Sequence, residues 1–454
     1  MEPFRYHVYF CNQKKPEGAP SCPAVGALET LAVMRQYLAE KNLAEEVQVT
    51  TCGCLGICQK GPNMVVYPDG IWYSGLNPEN IKQVVDEQFL NNQPVTERII
   101  TDAEATKQEI VEHNARVAGM RAMMAKSGMM PDELAHGLRS FMESRAMLTA
   151  VELDVFSAID KGATAQEVAK TIQANPRSTE QLLNALAAME VLDKDQGVFS
   201  NRPVTAKFLA KGGEFDSRTA SMHAVGLWHS WSTLTDCVKK GTAVRQDKGE
   251  PRSEESTKAF IASMHKNASS RAGRTVDLLD LNKINHVLDL GGGSGAYAIA
   301  FAKKNPDIKS TVFDLPSVIP LAKEYVSAAG VSDQVDYIEG DMSQDDIGKG
   351  YDMVWISAIC HMWGDDENQD LITRTFDALN PGGQIVIADF ILGDDKTSPR
   401  GGAVFALNML VNTQSGSSYS LVEYKEWLET AGFGKIDHKT MPGPTGLVIA
   451  YKPA

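Results

Sequence analysis

The amino-acid sequence predicts an α/β protein of more than one domain, and three observations carry this. The first is length: 454 residues exceed what one ordinary hydrophobic core organises. The second is the stretch His286 to Gly295, where a short apolar run ends in four glycines within five residues. A helical pattern, Ala296 to Lys304, follows at once. A buried strand, a tight turn and a helix in that order open a doubly wound α/β unit. The third is cysteine placement: five of the seven cysteines fall in the first 58 residues, which marks that end as distinct.

Composition narrows the classes of function. A net charge of −14 opposes nucleic acid or an anionic membrane surface as the main partner. No apolar run reaches the roughly 20 residues that span a bilayer. Met1-Glu2-Pro3-Phe4-Arg5 lacks the pattern of a signal peptide, so a cytoplasmic location is expected. Cysteines in that compartment point to metal or redox chemistry rather than structural disulfides.

Taken in order, Tyr6 to Cys11 alternates like a strand, Ala27 to Lys41 has helical spacing, and Glu46 to Thr51 is β-like. Asn63 to Tyr67 and Ile71 to Ser74 flank Pro68-Asp69-Gly70, a hairpin signal. Asn77-Pro78-Glu79 opens a helix to about Phe89. Asn91 to Val95 reads as linker, and Thr101 to Lys126 as a charged helix. Met120, Met123, Met124, Met129 and Met130 form a cluster suited to packing on an irregular surface. Leu134 to Ile159 reads as one helix. Ala163 to Thr171 and Ser178 to Met189 make a helix-turn-helix, with a small wing over Asp193 to Asn201. A winged helix often binds DNA, yet the second helix here carries no Lys or Arg beyond Arg177 at its start. Further helices run from Phe208 to Ser270, and Leu227-Trp228-His229-Ser230-Trp231 is aromatic enough either to line a pocket or to pack a core.

Four cysteines on two loops can hold a [2Fe–2S] cluster, whose usual ligands are thiolates. The selected set is Cys11, Cys22, Cys54 and Cys58, with Cys52 as a spare thiol. The run Gly53-Cys54-Leu55-Gly56-Ile57-Cys58, with Trp72-Tyr73 and Pro78-Glu79, resembles the thioredoxin-like [2Fe–2S] ferredoxins over residues 5 to 92. A four-thiolate zinc site is the rival, although the ten residues between Cys11 and Cys22 suit its close cysteine pairs poorly.

The glycine stretch does not name its ligand, since Gly291, Gly293 and Ala296 also fit a dinucleotide pattern. Its surroundings favour S-adenosylmethionine. Asp289 sits inside the strand end, where a carboxylate can meet the amino acid end of that molecule. Asp314, followed by Leu315, closes the next strand, where a carboxylate can take both ribose hydroxyls. Gly340-Asp341-Met342 ends a third, near where an adenine would lie. The order Asp-x-Gly-Gly-Gly-x-Gly (through Gly295), Phe-Asp-Leu-Pro, Gly-Asp-Met resembles the class I S-adenosylmethionine-dependent methyltransferases. Within them it is similar to the plant phenolic and hydroxyindole O-methyltransferases.

After the strand Tyr351 to Ile359, the family pattern His-x-Trp-x-Asp is matched at His361, Trp363 and Asp365. The resemblance implies that His361 is the general base. A neutral imidazole has a suitable pKa for taking a hydroxyl proton near neutrality. The family often has a glutamate where Asp389 stands; aspartate can still orient the imidazole. Asn408-Met409-Leu410 resembles an acceptor-holding segment. Two positions depart from the plant pattern: Ser357 replaces a lysine at the cofactor side, and Ser418 replaces a glutamate.

Together the resemblances imply an α/β multidomain chain. A thioredoxin-like ferredoxin domain spans 1–95, a helical linker 96–130 and a winged-helix dimerisation domain 131–215. A helical segment with a Rossmann-like seven-strand methyltransferase domain spans 216–454. They imply a homodimer that methylates a hydroxyl of a small aromatic or quinol-like acceptor, with an electron donor serving the cluster. Methyl transfer to carbon, and a redox-sensing regulator without turnover, stay open as alternatives. A nicotinamide-dependent oxidoreductase is opposed by the Asp314 and Asp341 segments.

Overall fold

The computed structural model describes residues 3–15, 18–128, 130–244, 254–441 and 445–454. It divides into two compact units, Met1–Leu138 and Arg139–Ala454.

In the first unit β1 (Tyr6–Cys11), α1 (Ala27–Glu40) and β2 (Val47–Cys52) form a parallel pair joined by a crossover helix. β3 (Met64–Tyr67) and β4 (Ile71–Tyr73) are the expected hairpin, giving the sheet order β2-β1-β3-β4. Alternation buries Val8 and Phe10 of β1 with Met34 of α1 and Met64 and Val66 of β3. α2 (Asn80–Val84) continues as a π-helical turn, Val85–Leu90. The segment after it is not a free linker. Val95 is buried, Ile99 bridges Tyr73, and Ile100 N–H donates to the Trp72 carbonyl (2.9 Å). Those pairings finish the open edge of β4, a constraint invisible to local composition. α3 (Ala103–Ser127) starts at Asp102, whose carboxylate accepts from Ala105 N–H. Met120, Met123 and Met130 are exposed rather than packed within the chain; Met129 and the side chain of Met124 lie outside the described residues.

The second unit opens with α4 (Asp132–Glu152), which begins just before the unit boundary, and α5 (Val155–Ile159). The single helix expected here is broken at Asp154, whose φ is +53°. Aspartate tolerates that left-handed geometry, and its carboxylate accepts from Ser157 Oγ (2.6 Å) and Arg218 Nη1 (3.1 Å). β5 (Ala163–Thr164), α6 (Ala165–Thr171), α7 (Pro176–Ala188), β6 (Leu192–Asp195) and β7 (Val198–Asn201) form the winged helix-turn-helix, its sheet ordered β5-β7-β6. Thr164 and Glu167 cap α6 reciprocally, and Asn175 caps α7 ahead of Pro176. Four helices follow: α8 (Pro203–Leu209), α9 (Arg218–Trp231), α10 (Leu234–Lys240) and α11 (Glu254–Val276).

The remaining chain alternates β8 (His286–Leu290), α12 (Ala296–Lys304), β9 (Lys309–Asp314), α13 (Ile319–Ala328), β10 (Val335–Glu339), β11 (Tyr351–Ser357), α14 (Asp365–Ala378) and β12 (Leu379–Leu392). α15 (Arg400–Asn412), a two-residue β13 (Tyr419–Ser420), α16 (Leu421–Ala431), β14 (Ile436–Thr440) and β15 (Thr445–Tyr451) complete it. The strand order is β10-β9-β8-β11-β12-β15-β14, with β13 beside β12. β15 is antiparallel to both its neighbours, and the pairings among β8–β12 are parallel. Trp355 of β11 is fully buried against Tyr297 and Phe301 of α12. The order reverses between β8 and β11, so the crevice for a ligand lies past their carboxyl ends. Among the described residues, no helix is long and apolar enough to cross a membrane.

Candidate functional sites

Four adjacent strand ends of the second unit converge on that crevice. β8 delivers the glycine loop. Gly291 has φ +67°, and a Cβ there would stand 2.6 Å from Ile359 Cδ1 and 2.8 Å from Met342 Cε. The left-handed φ favours glycine here, and the same contact shows that Met342 lies against the loop. Asp289 is buried, and burial raises its pKa to about 7. The only hydrogen bond its side chain makes among the described residues comes from Ala298 N–H at 3.2 Å. Asp314 accepts from Gly293 N–H at 2.7 Å and Leu315 N–H at 2.8 Å. Burial raises its pKa against the pull of those donors. Gly293 and Gly295 complete the turn into α12, and Leu315 presents exposed apolar surface. Gly340 N–H donates to the Asp314 carbonyl (3.0 Å), which ties the end of β10 to that of β9. Asp341 is held down by the hydroxyl and N–H of Ser343.

Ser357 ends β11 opposite Ala388 of β12, a register that brings the following turn beside Asp389. His361 Nδ1 and Asp389 Oδ1 are 2.6 Å apart, and both side chains are buried. Asp389 also accepts the His361 N–H (3.3 Å) and the Phe390 N–H (2.8 Å). Nε2 of His361 has no hydrogen-bond partner among the described residues. Asn368 Nδ2 holds the turn by donating to the carbonyls of Cys360 and Trp363.

Several neighbours were not legible in advance. The Phe405 ring meets the His361 ring edge-on at 4.9 Å and stacks on Phe390 at 3.9 Å. Trp231 Nε1 donates to Asn408 Oδ1 (2.9 Å), across 177 positions of sequence. His265, which carried no expectation, is 2.8 Å from Ser294 Oγ in the glycine loop and stacks on Tyr325 at 3.9 Å. Ser418 supplies no carboxylate; its hydroxyl is buried and donates to the Gly402 carbonyl (2.9 Å).

The first unit holds a separate cluster of chemistry. Cys11 and Cys22 are buried and hydrogen-bonded to each other, which lowers Cys11 to about 6 and raises Cys22. Cys54 Sγ and Cys58 Sγ are 3.1 Å apart, and Cys22 senses the charge of Cys58. A Cβ on Gly61 would lie 2.9 Å from Cys22 Sγ. Lys15 Nζ reaches Cys58 Sγ at 3.1 Å, and Gly56 N–H donates to Cys54 Sγ at 3.3 Å. Cys52 pairs with Cys11 across β1 and β2, and burial pushes its thiol up to about 11. His113 of α3 places Nε2 3.6 Å from Cys54 Sγ.

A glycine loop at the switch point, carboxylates at the strand ends and a His–Asp pair define a class I S-adenosylmethionine-dependent methyltransferase. Comparison with known proteins agrees. Residues 231–434 match the O-methyltransferase domain and residues 135–211 the O-methyltransferase dimerisation domain. The 3-hydroxy-5-methyl-1-naphthoate 3-O-methyltransferase of Streptomyces sahachiroi is 30% identical over 332 residues, 70% of this chain and 94% of that protein. Acetylserotonin O-methyltransferase of Mus musculus is 28% identical over 362 residues, 75% of this chain and 92% of its own. The structure of human N-acetylserotonin methyltransferase in complex with S-adenosylmethionine superposes with a TM-score of 0.64 at 25% identity, covering 72% of this chain and 99% of that one. The chain belongs to the S-adenosylmethionine-dependent O-methyltransferase family.

Proposed function

We propose that this chain, as a homodimer, transfers a methyl group from S-adenosylmethionine to a hydroxyl of a small aromatic acceptor, and that its first unit carries a [2Fe–2S] cluster. The observation that carries the first part is the His361–Asp389 pair beyond β11. The relatives' names support the acceptor class: a hydroxynaphthoate and acetylserotonin. The dimerisation-domain match supports the second copy.

The residues suit the cofactor. An enclosed carboxylate with a single donor, Asp289, matches a cationic amino group, and the left-handed φ of the cradle at Gly291 favours glycine. In this reading Asp314 takes the ribose hydroxyls, and Leu315, Asp341 and Met342 surround the adenine. The backbone of Gly291, Gly293 and Gly295 lines the methionine end, and Ser357 borders it. When bound, S-adenosylmethionine supplies an electrophilic methyl carbon. His361 Nε2 takes the acceptor's hydroxyl proton as its oxygen forms the new C–O bond and the C–S bond breaks. The products are the methyl ether, S-adenosylhomocysteine and a protonated His361. Asp389, accepting from Nδ1–H, holds the tautomer that leaves Nε2 as base and stabilises the imidazolium. Phe390 and Phe405 shield the ring from water. Alignment of the reactants should supply most of the rate, and the base a factor of about 10²–10⁴.

The thiol chemistry suits the cluster: Cys11 with Cys22 and Cys54 with Cys58 make two close pairs, and Cys22 lies near enough to Cys58 to sense its charge. Methyl transfer is redox-neutral, so the cluster serves another step. If Cys11, Cys22, Cys54 and Cys58 held it, the cluster would supply one-electron chemistry, suited to reduction of a quinone-like precursor by an external donor. Two electrons and two protons would convert such a quinone to a hydroquinone, one of whose two hydroxyls His361 would deprotonate. A second reading has its own observation: Cys54, Cys58 and His113 each offer a ligand atom within 4.8 Å of the others, which suits one zinc.

The test uses full-length protein purified without oxygen. Two irons and two sulfides per chain are expected; one zinc without sulfide overturns the cluster. Incubation with S-adenosylmethionine and a hydroxynaphthoate should yield S-adenosylhomocysteine and the ether. Failure with a panel of aromatic hydroxyl compounds overturns the methyl-transfer reading. Iron-stripped protein should match loaded protein on a pre-reduced acceptor. It should lose activity only on an oxidised acceptor supplied with an electron donor.

A further inference from the structure

We infer that α3 is the cover of the cysteine cluster, and that His113 donates its Nε2–H to Cys54 Sγ to stabilise added negative charge on that side. The inference rests on the cluster reading and extends it to a helix that the cysteine pattern does not reach.

The helix touches the loop with one face. Glu109, Ile110 and His113 are spaced so that they share a side. Together with Thr106 and Val117 they are the positions of α3 between 103 and 120 that are not fully exposed. Glu109 Oε2 is 2.8 Å from Lys60 Nζ, and His113 Nε2 is 3.6 Å from Cys54 Sγ. Between them the loop backbone lies directly on the helix. Gly56 has φ +89°, and a Cβ there would fall 3.0 Å from Ile110 Cγ1 and 3.2 Å from Ile110 Cα. Gly56 is therefore required twice, by its conformation and by the helix. Elsewhere this face has little to bury, and a largely polar helix with no other packing is marginal in water.

The two thiol pairs also differ in their company. Cys11 and Cys22 are buried and bond to each other, with uncharged donors from Gln13, Leu55 and Asn63 around them. Cys54 and Cys58 are half-exposed and receive donors: Gly56 N–H, Lys15 Nζ and the His113 ring. Hydrogen bonds to cluster sulfurs favour the reduced state, because that state carries the extra negative charge. Among the described residues the Cys54–Cys58 side alone of the two has a hydrogen-bonded cation, Lys15, and a donor from α3, so an added electron is stabilised there and α3 roofs it. His113 is a positioning residue in this scheme, not a ligand.

The experiment compares cluster-loaded full-length protein with His113→Ala and His113→Gln. Iron and sulfide content, the midpoint potential and the electron paramagnetic resonance spectrum of the dithionite-reduced form are measured. Hydrogen exchange over 103–117 is followed before and after the iron is stripped. His113→Ala should keep two irons and shift its midpoint to lower potential with an altered spectrum. His113→Gln, whose amide N–H also donates, should restore most of the shift. Exchange over 103–117 should quicken when iron is removed. An unchanged midpoint and spectrum in His113→Ala, with the cluster intact, overturns the hydrogen bond while leaving the cluster reading in place. Equal exchange in loaded and stripped protein overturns the cover. Stoichiometric loss of metal in His113→Ala makes His113 a ligand and overturns the proposal. Wild type holding one zinc and no iron overturns the cluster reading itself, and this proposal with it.

Discussion

The methyl-transfer site and the cysteine site both sit at the end of a β-sheet, yet the chain completes them to different degrees. Asp389 is satisfied from within: His361 Nδ1, the His361 N–H and the Phe390 N–H all reach its oxygens. The register of β11 against β12 sets that geometry. At the cysteines sulfur lies beside sulfur, and the hydrogen bond between Cys11 and Cys22 lowers the pKa of the first and raises that of the second. Crowded thiolates repel unless a cation lies among them. A hydrogen-bonded His–Asp pair can therefore be closed by the fold, whereas in the proposed cluster reading the cysteine site is finished by a group the chain does not supply.

The largest effect expected on the self-completed site is that of His361→Ala. It should lower kcat by about 10²–10⁴, with S-adenosylmethionine affinity nearly unchanged. If the first unit carries the proposed cluster, its iron content should not move. Full activity in this variant would show that the acceptor arrives ionised or reacts at carbon. Next is Asp314→Ala, which removes the acceptor proposed for two ribose hydroxyls. Hydrogen bonds to a charged group are worth about 1.5–3 kcal/mol each, so affinity should fall at least ~10-fold. Calorimetry showing no loss would remove Asp314 from the site.

The pH dependence of cofactor binding sharpens the comparison further. Burial raises Asp289 to about 7 in the free protein. The folded chain then binds more protons than the unfolded one from roughly pH 4 to 7, so this group's contribution to stability is lost as pH rises through that window. A cationic amino group needs the ionised carboxylate. Affinity should weaken by up to ~10-fold per pH unit below about 7, and Asp289→Asn should flatten the profile. A flat wild-type profile between pH 5.5 and 7 would contradict this. The smallest effect is that of Trp231→Phe, which removes the hydrogen bond to Asn408. A neutral hydrogen bond is worth about 0.5–1.5 kcal/mol, so the acceptor's KM should rise ~2–10-fold at similar kcat. An unchanged KM would mean that this contact lies away from the acceptor.

Local spacing was sufficient for much of the second unit. The glycine run after an apolar strand, the carboxylates at Asp314 and Asp341 and the turn bearing His361 each announce themselves within a dozen residues, because strands and turns obey short periodicities. The same holds for the hairpin at Pro68-Asp69-Gly70 and the wing over β6 and β7. Where local pattern misled, a distant partner had intervened. Arg218 and Ser157 stabilise the break at Asp154, and pairing with β4 captures the stretch near Ile99.

The strand–loop–helix units, and the residue types at their ends, follow from neighbours along the chain. Which of those residues meet does not. Asp389 reaches His361 through strand register; Phe405 reaches it from α15. His113 lies 59 positions from Cys54, and Trp231 lies 177 from Asn408. No periodicity links such pairs, because nothing in a local spacing measures the distance between two elements. That distance is set by packing of the whole core, where each contact is allowed only if all the others are.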